Sequence, residues 1–165
     1  MTRRLGGTLT PALVDRLSQR DIARRLGVAL PFVTVDADGR PHPMLLSYLE
    51  VRAYDTGTVG LVIGARTRSA GNLAERAAGT LLMIEPDVTV YVKLRTVDGP
   101  LAVAGAGDQL GYFLLAVEEV LEDAAADWEG GTGITSPIRY VPAPSLDEPW
   151  ARATLAALAE PRARA

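Results

Sequence analysis

Residues 61–73, LVIGARTRSAGNL, pass from an apolar run through a basic, hydroxyl-bearing turn into a helix. The β-branched and leucine residues at the start predict a strand, and Ser69 is the expected N-cap of a helix over 70–78 that stops at Gly79. In the turn, Arg66 and Arg68 alternate with Thr67 and Ser69. A helix start carries unpaired N–H groups and a partial positive charge. Guanidinium forks and hydroxyls beside it suit a phosphate. A plain capped turn with two solvated arginines fits the same residues. The stretch alone leaves both readings open.

Working outward, residues 28–35 are an apolar, β-branched run followed by the turn Asp36-Ala-Asp-Gly39 and a second extended run over 40–54. Two strands about an Asp-Gly turn make a hairpin. Pro41 and Pro43 have no N–H to donate, which puts the start of the second strand at an edge or bulge. A third strand over 58–65 delivers the basic turn. Beyond the helix, 80–84 and 89–94 are β-rich segments around Glu85-Pro-Asp87. Alternation over 88–95 sends Val88, Val90, Val92 and Leu94 to the core and Thr89, Tyr91, Lys93 and Arg95 to the other face.

Residues 101–111, LAVAGAGDQLG, nearly spell a dinucleotide fingerprint, but Leu110 takes the third glycine position and too little chain follows for a doubly wound sheet. Residues 111–123 fit a helix by one count and a strand by another, with Glu118, Glu119, Glu122 and Asp123 as an exposed face. An extended segment is expected over 134–141. Ser145-Leu-Asp-Glu148 before Pro149 reads as a capping box for a helix over 150–160. Near the other end, Thr10-Pro11 opens a helix that Gly27 closes. Trp128 and Trp150 are expected to pack. The organisation is thus one domain over 1–165: a helix over 10–27, a β unit over about 28–141 and a helix over 149–160.

The chain has 165 residues, 48% hydrophobic and 22% charged, with a formal net charge of -3. That balance argues against a nucleic-acid binder held by bulk electrostatics. There is no cysteine, hence no disulfide, thiolate metal site or cysteine nucleophile. Met1-Thr-Arg-Arg leads into no apolar leader, and no run has the length of a membrane span. These features predict a cytoplasmic protein with no membrane or nucleic-acid partner and no metal. His42 is the only histidine, too few for a two-histidine metal site. No carboxylates are spaced as an acid–base pair, and His42, Tyr48 and Lys93 are the side chains left to test for catalysis.

The order of elements resembles the FMN-binding split-barrel family, pyridoxamine 5'-phosphate oxidase-like. The likeness is carried by Thr34-Val-Asp-Ala-Asp-Gly-Arg-Pro41, Thr67-Arg-Ser-Ala-Gly-Asn-Leu73 and Tyr91-Val-Lys93, and it covers roughly 28–120. The resemblance implies a mainly β fold with flanking helices, a six-stranded antiparallel split β-barrel in which 111–123 is a strand. It also implies a homodimer with FMN between the subunits. Met44, Leu46 and Ser47 would meet the flavin ring, and Val62 and Ile63 would lie beside it. Thr67, Arg68 and Ser69 would hold the phosphate, with Arg66 standing in for the lysine common where Ser69 stands, and Asn72 and Lys93 complete the cofactor residues. The function implied is an FMN-dependent oxidoreductase acting on a small molecule. The alternatives are a deazaflavin- or haem-binding split barrel, with His42 the sole histidine ligand for haem, and a non-catalytic flavin-binding or structural dimer.

Overall fold

The computed structural model describes residues 2–164, the side chain of Asp127 excepted, so Met1 lies outside it. Eight strands form one antiparallel sheet: β1 (Thr2–Gly6), β2 (Ala29–Val35), β3 (Pro41–Ser47), β4 (Val51–Ala53), β5 (Thr58–Gly64), β6 (Ala78–Glu85), β7 (Val88–Ala102) and β8 (Leu110–Asp123). Their spatial order is β3-β2-β6-β7-β8-β5-β4, with β1 added to the far half of β8. The sheet curls into a half-barrel, and the helices α1 (Pro11–Arg16), α2 (Ile22–Arg25), α3 (Arg68–Arg76) and α4 (Pro149–Ala157) flank it. The expectation of six strands is thereby corrected to eight. The two extra come from β1, a short exposed edge without an alternating pattern, and from a break in the run over 40–54, where Tyr48–Glu50 form a 3-10 turn.

Alternation decides what lies inside. Leu30, Phe32, Leu46, Leu61, Ile63, Leu81, Met83, Val92, Leu94 and Phe113 turn inward and are buried, with Ala70 and Leu73 of α3 and Leu13 and Leu17 packed against them. Each such large side chain contributes about 1.5–3 kcal/mol relative to exposure. The assignment of Val90, Val92 and Leu94 to the core holds. On the outside, α4 covers only part of the sheet: Ala157 and Leu158 pack on Val62, Val103 and Tyr112. β5 is therefore buried on both faces.

The Asp-Gly hairpin forms as read, with β2 and β3 paired from Ala29↔Ser47 to Val35↔Pro41. All three prolines of this hairpin fall in one set of alternate pairs, Pro31↔Leu45, Val33↔Pro43 and Val35↔Pro41. Antiparallel pairs alternate between bonded and non-bonded types, and a proline cannot donate. The bonded set is thus Leu30↔Leu46, Phe32↔Met44 and Thr34↔His42. Among the described residues β3 has no partner on its other side. Continuing the β4–β5 register (Val51↔Leu61) would set Ser47 beside Ala65, but the 3-10 turn ends that pairing and leaves the barrel split between β3 and β5. Ser47 and Glu50 fix the turn: Glu50 Oε2 accepts from Ser47 N at 2.6 Å and Oγ at 2.9 Å. Burial raises the Glu50 carboxyl pKa against the lowering effect of those bonds.

A buried polar cluster seats the short N-terminal helices. Glu85 accepts from the Tyr48 hydroxyl and from Arg16 Nη1 at 3.1 Å. Gln19 Nε2 donates to the carbonyls of Tyr48, Leu49 and Val51 at 3.3, 3.0 and 3.2 Å. Other sequence readings shift. The single helix expected over 10–27 is two short ones. The last helix stops at Ala157 and is capped by Glu148 without a side-chain bond, so the capping box does not form. Residues 134–141 contribute one bridge, Val28↔Arg139, and no strand. Trp128 is 82% exposed, and Trp150 is 37% exposed, so neither packs as a core residue. Among the described residues no helix is long and apolar enough to cross a membrane.

Gly79 shows how tightly β6 meets β2. A Cβ there would lie 2.5 Å from Phe32 Cζ. Gly79→Ala is expected to lower stability by about 1–3 kcal/mol in urea unfolding. The added variant Phe32→Leu should recover part of that loss.

Candidate functional site

The basic turn sits where β5 hands the chain to α3. Thr67, not Ser69, is the N-cap: its Oγ1 accepts from Ala70 N at 3.2 Å and donates to Gly64 O at 2.8 Å. Ser69 is one residue inside the helix and buried. The N–H groups of Arg68 and Ser69, first in the helix, have no intrahelical partner. Arg66 and Arg68 are both exposed, and they diverge. Arg66 pairs with Asp108 in the β7–β8 loop. Arg68 Nη1 lies 3.4 Å from Asp36 Oδ2, at the β2–β3 turn.

Each arginine lines its own open hollow. One, of about 310 Å³, is formed by Gly64, Arg66, Thr67, Asp108 and Gln109. The other, of about 400 Å³, has Arg68 and Arg76 facing Asp36, Asp38 and Glu75. Three acids against two arginines leave that second hollow one charge negative, so a phosphate is better served on the Arg66 side of the helix start.

Asn72 organises the second hollow. Its Nδ2 donates to Thr34 Oγ1 at 3.0 Å and Asp36 Oδ1 at 2.9 Å, and its Oδ1 accepts from Arg76 Nη1 at 3.3 Å. The amide's bond, then the charges of Arg68 and His42, hold the Asp36 carboxyl below its ordinary pKa. His42 Nδ1 is 3.9 Å from Asp36 Oδ1. Asn72 is thus a buried strut between α3 and β2.

The other sequence candidates do not converge on the turn. Leu46 and Ile63 are buried in the barrel core, and Met44 packs against it. Ser47 is buried and bonded to Glu50. Val62 lies beneath α4. The residue of β3 that faces outward is Leu45, 46% exposed, displaced by one position from Met44 and Leu46. A one-residue change of parity moves a side chain from one face of a strand to the other. Lys93 is on the outer face, 2.6 Å from Glu119 Oε2, beside an apolar hollow of about 310 Å³ lined by Val33, Thr80, Leu82, Tyr91 and Leu121. Tyr48 is buried with its hydroxyl on Glu85. The sequence alone does not mark Asp36 and Asp108 as partners of the arginines: Asp36 reads as a turn former, and Asp108 falls in the glycine-rich stretch over 101–111.

No protein-family model and no curated protein sequence matches the chain. Among solved structures, it is similar to a provisionally named pyridoxamine 5'-phosphate oxidase of Lactobacillus delbrueckii, with 16% identity and a TM-score of 0.55. That match covers 72% of this chain and 98% of that one. An FMN-binding protein of Syntrophomonas wolfei matches with a TM-score of 0.50 at 12% identity, over 70% of this chain and 89% of that one. At such identities the likeness is one of fold, and the fold is the split barrel.

The Asn72 strut gives a pH prediction. Asp36 titrates lower in the folded than in the unfolded chain, so its contribution is present above the ordinary carboxylate range and fades as pH falls through the lowered value. In Asn72→Ala the Asp36 midpoint, followed by carboxyl ¹³C NMR, should rise toward the ordinary carboxylate range. An unmoved midpoint would show that the amide is not what holds it down.

Proposed function

We propose that this chain is a flavin-type redox protein. In this reading FMN is the cofactor, a small molecule the substrate, and a homodimer the working unit in the cytoplasm, each chain a single split-barrel domain. The observation that carries the reading is the start of α3. Two exposed arginines flank the N-cap Thr67, and the first N–H groups of the helix have no intrahelical partner. A phosphate monoester is the anion such a group set suits. The solved relative from Syntrophomonas wolfei is an FMN-binding protein of the same fold, which supports the choice of cofactor.

The fit is good at the phosphate end and different from expectation at the ring end. Arg66 and the N–H groups of Arg68 and Ser69 would hold the phosphate, with the Arg68 guanidinium turned to the Asp36 side of the helix start. Met44, Leu46 and Ile63 turn their side chains into the core, so they do not face a ring. Leu45 and the unpaired backbone edge of β3 take that role, since the non-bonded pairs point their peptide groups away from β2. The flavin would supply the hydride or electron transfer. The chain's part is to bind and orient it and to exclude water. Tyr48 is locked to Glu85 and Lys93 to Glu119, so neither stands free as an acid or base.

The outer face supports the dimer. Leu82↔Tyr91↔Leu121 form an apolar ladder across β6, β7 and β8, continued at β2 by Val33 opposite Thr80. α4 leaves this half of the sheet uncovered. A second copy buries that ladder against its own in a two-fold contact.

Titration of the protein with FMN, followed by flavin absorbance and fluorescence, tests the cofactor. Arg66→Ala should weaken binding by about 10-fold or more, the worth of a charge-assisted hydrogen bond. A protein that takes up no FMN would sink the reading. For the dimer, Leu82→Asp should shift sedimentation from dimer to monomer; a wild-type monomer at micromolar concentration would refute it.

A further inference from the structure

We infer that the cavity beneath α2 binds a small monocarboxylate, with Arg25 as its principal donor. The site shares no residue with the basic turn or with the apolar ladder, so it stands or falls apart from the flavin reading. The cavity, of about 160 Å³, lies between α1, α2 and the 3-10 turn, with Tyr48 and Ile22 in its wall. A water's share of liquid volume is about 30 Å³, so a carboxylate with a short chain fits. The charged lining is Arg16, Arg20 and Arg25 against Asp15 and Asp21, one charge positive.

The three arginines are not equally committed. Arg20 pairs with Asp15 at 3.2 Å on the exposed rim. Arg16, its side chain 14% exposed, takes Glu85 at 3.1 Å and Asp87 as well. The Tyr48 hydroxyl donates to the same Glu85 oxygen as Arg16. Arg25 is left over. Its side chain is 27% exposed, and Glu85 Oε2 is 3.9 Å from its Nη1, too far for a hydrogen bond. The guanidinium lies 5.1 Å from the centre of the Tyr48 ring and, among the described residues, donates no hydrogen bond. Five donors withdrawn from most of their water without an acceptor are costly. A carboxylate in the cavity meets two of them at once, in the plane that the contact with Tyr48 fixes. A second negative charge would stand against Asp21 and Glu85, so the monoanion is preferred.

The cavity has a door. None of the four residues of α2 is buried, and left-handed residues bracket the segment, Gln19 at φ 65 and Gly27 at φ 83. Gln19 stays behind, held on the carbonyls of Tyr48, Leu49 and Val51. Displacing α2 admits a ligand and takes no side chain of that helix out of the core.

The experiment titrates acetate into the full chain at constant ionic strength, with chloride as the balancing anion, and follows the Arg25 Nε–H signal by ¹⁵N NMR. A saturable shift with a midpoint on the order of millimolar is expected, together with slower amide exchange over 20–26. Arg25→Lys keeps the charge and loses the fork, and should weaken acetate binding by about 10-fold. Arg24→Gln removes the exposed arginine next to it and should leave acetate binding unchanged. Inorganic phosphate should bind more weakly than acetate. The proposal is overturned by a response that does not saturate or that chloride reproduces, by equal affinity in Arg25→Lys, by an equal loss in Arg24→Gln, or by tighter binding of phosphate. The wild-type titration decides by itself if Arg25→Lys does not fold. FMN uptake should be the same in the wild type and Arg25→Lys, so failure of the flavin reading leaves the acetate result standing, and the reverse.

Discussion

The side-chain amide of Asn72 is the interaction on which the site's geometry depends. It is buried, and its hydrogen bonds join Thr34 of β2, Asp36 just past the end of that strand, and Arg76 one turn further along its own helix. A buried amide left without partners is costly, so α3 has one rotational setting against β2 in which Asn72 is satisfied. That setting puts Ala70 and Leu73 into the barrel and the helix start beside the split. It also aims Asp36 at Arg68. Packing and polar satisfaction thus select the same orientation, which is the agreement between levels expected of a well-specified fold.

Much of the fold was legible because it rests on local chemistry. The Asp-Gly turn, the prolines of β3 and the alternation over 88–95 each state a backbone requirement that no distant residue can overrule. β1 was not legible, since Thr2–Gly6 is exposed along its length and gains its pairing from the far half of β8. The break at Tyr48–Glu50 has a local cause, the Ser47–Glu50 capping box, which the apolar run around it masks.

The basic turn was legible as a capped helix start and not in its arrangement. Arg66 to Ser69 announce a helix start with cations, and that is what they form, although Thr67 rather than Ser69 caps it. The divergence of the two arginines was invisible, because the acids that draw them apart sit at Asp36 and Asp108, on loops that only the folded sheet brings near. Parity on β3 was the other loss. A strand read from an apolar run without clear alternation leaves its two faces interchangeable on paper, and the choice between Leu45 and its neighbours is made by the hairpin register.

The prolines of β3 have a consequence for how copies of this chain meet. An unpaired strand edge invites another strand, and repetition of that event gives fibres. Here the outward-facing peptide positions of the edge are Pro41, Pro43 and Leu45, so a visiting strand finds one donor in five residues. Sheet-to-sheet extension is starved of hydrogen bonds at its first step. Open-ended growth through this edge is thereby checked by the backbone itself, before any side chain of a visiting strand is tested.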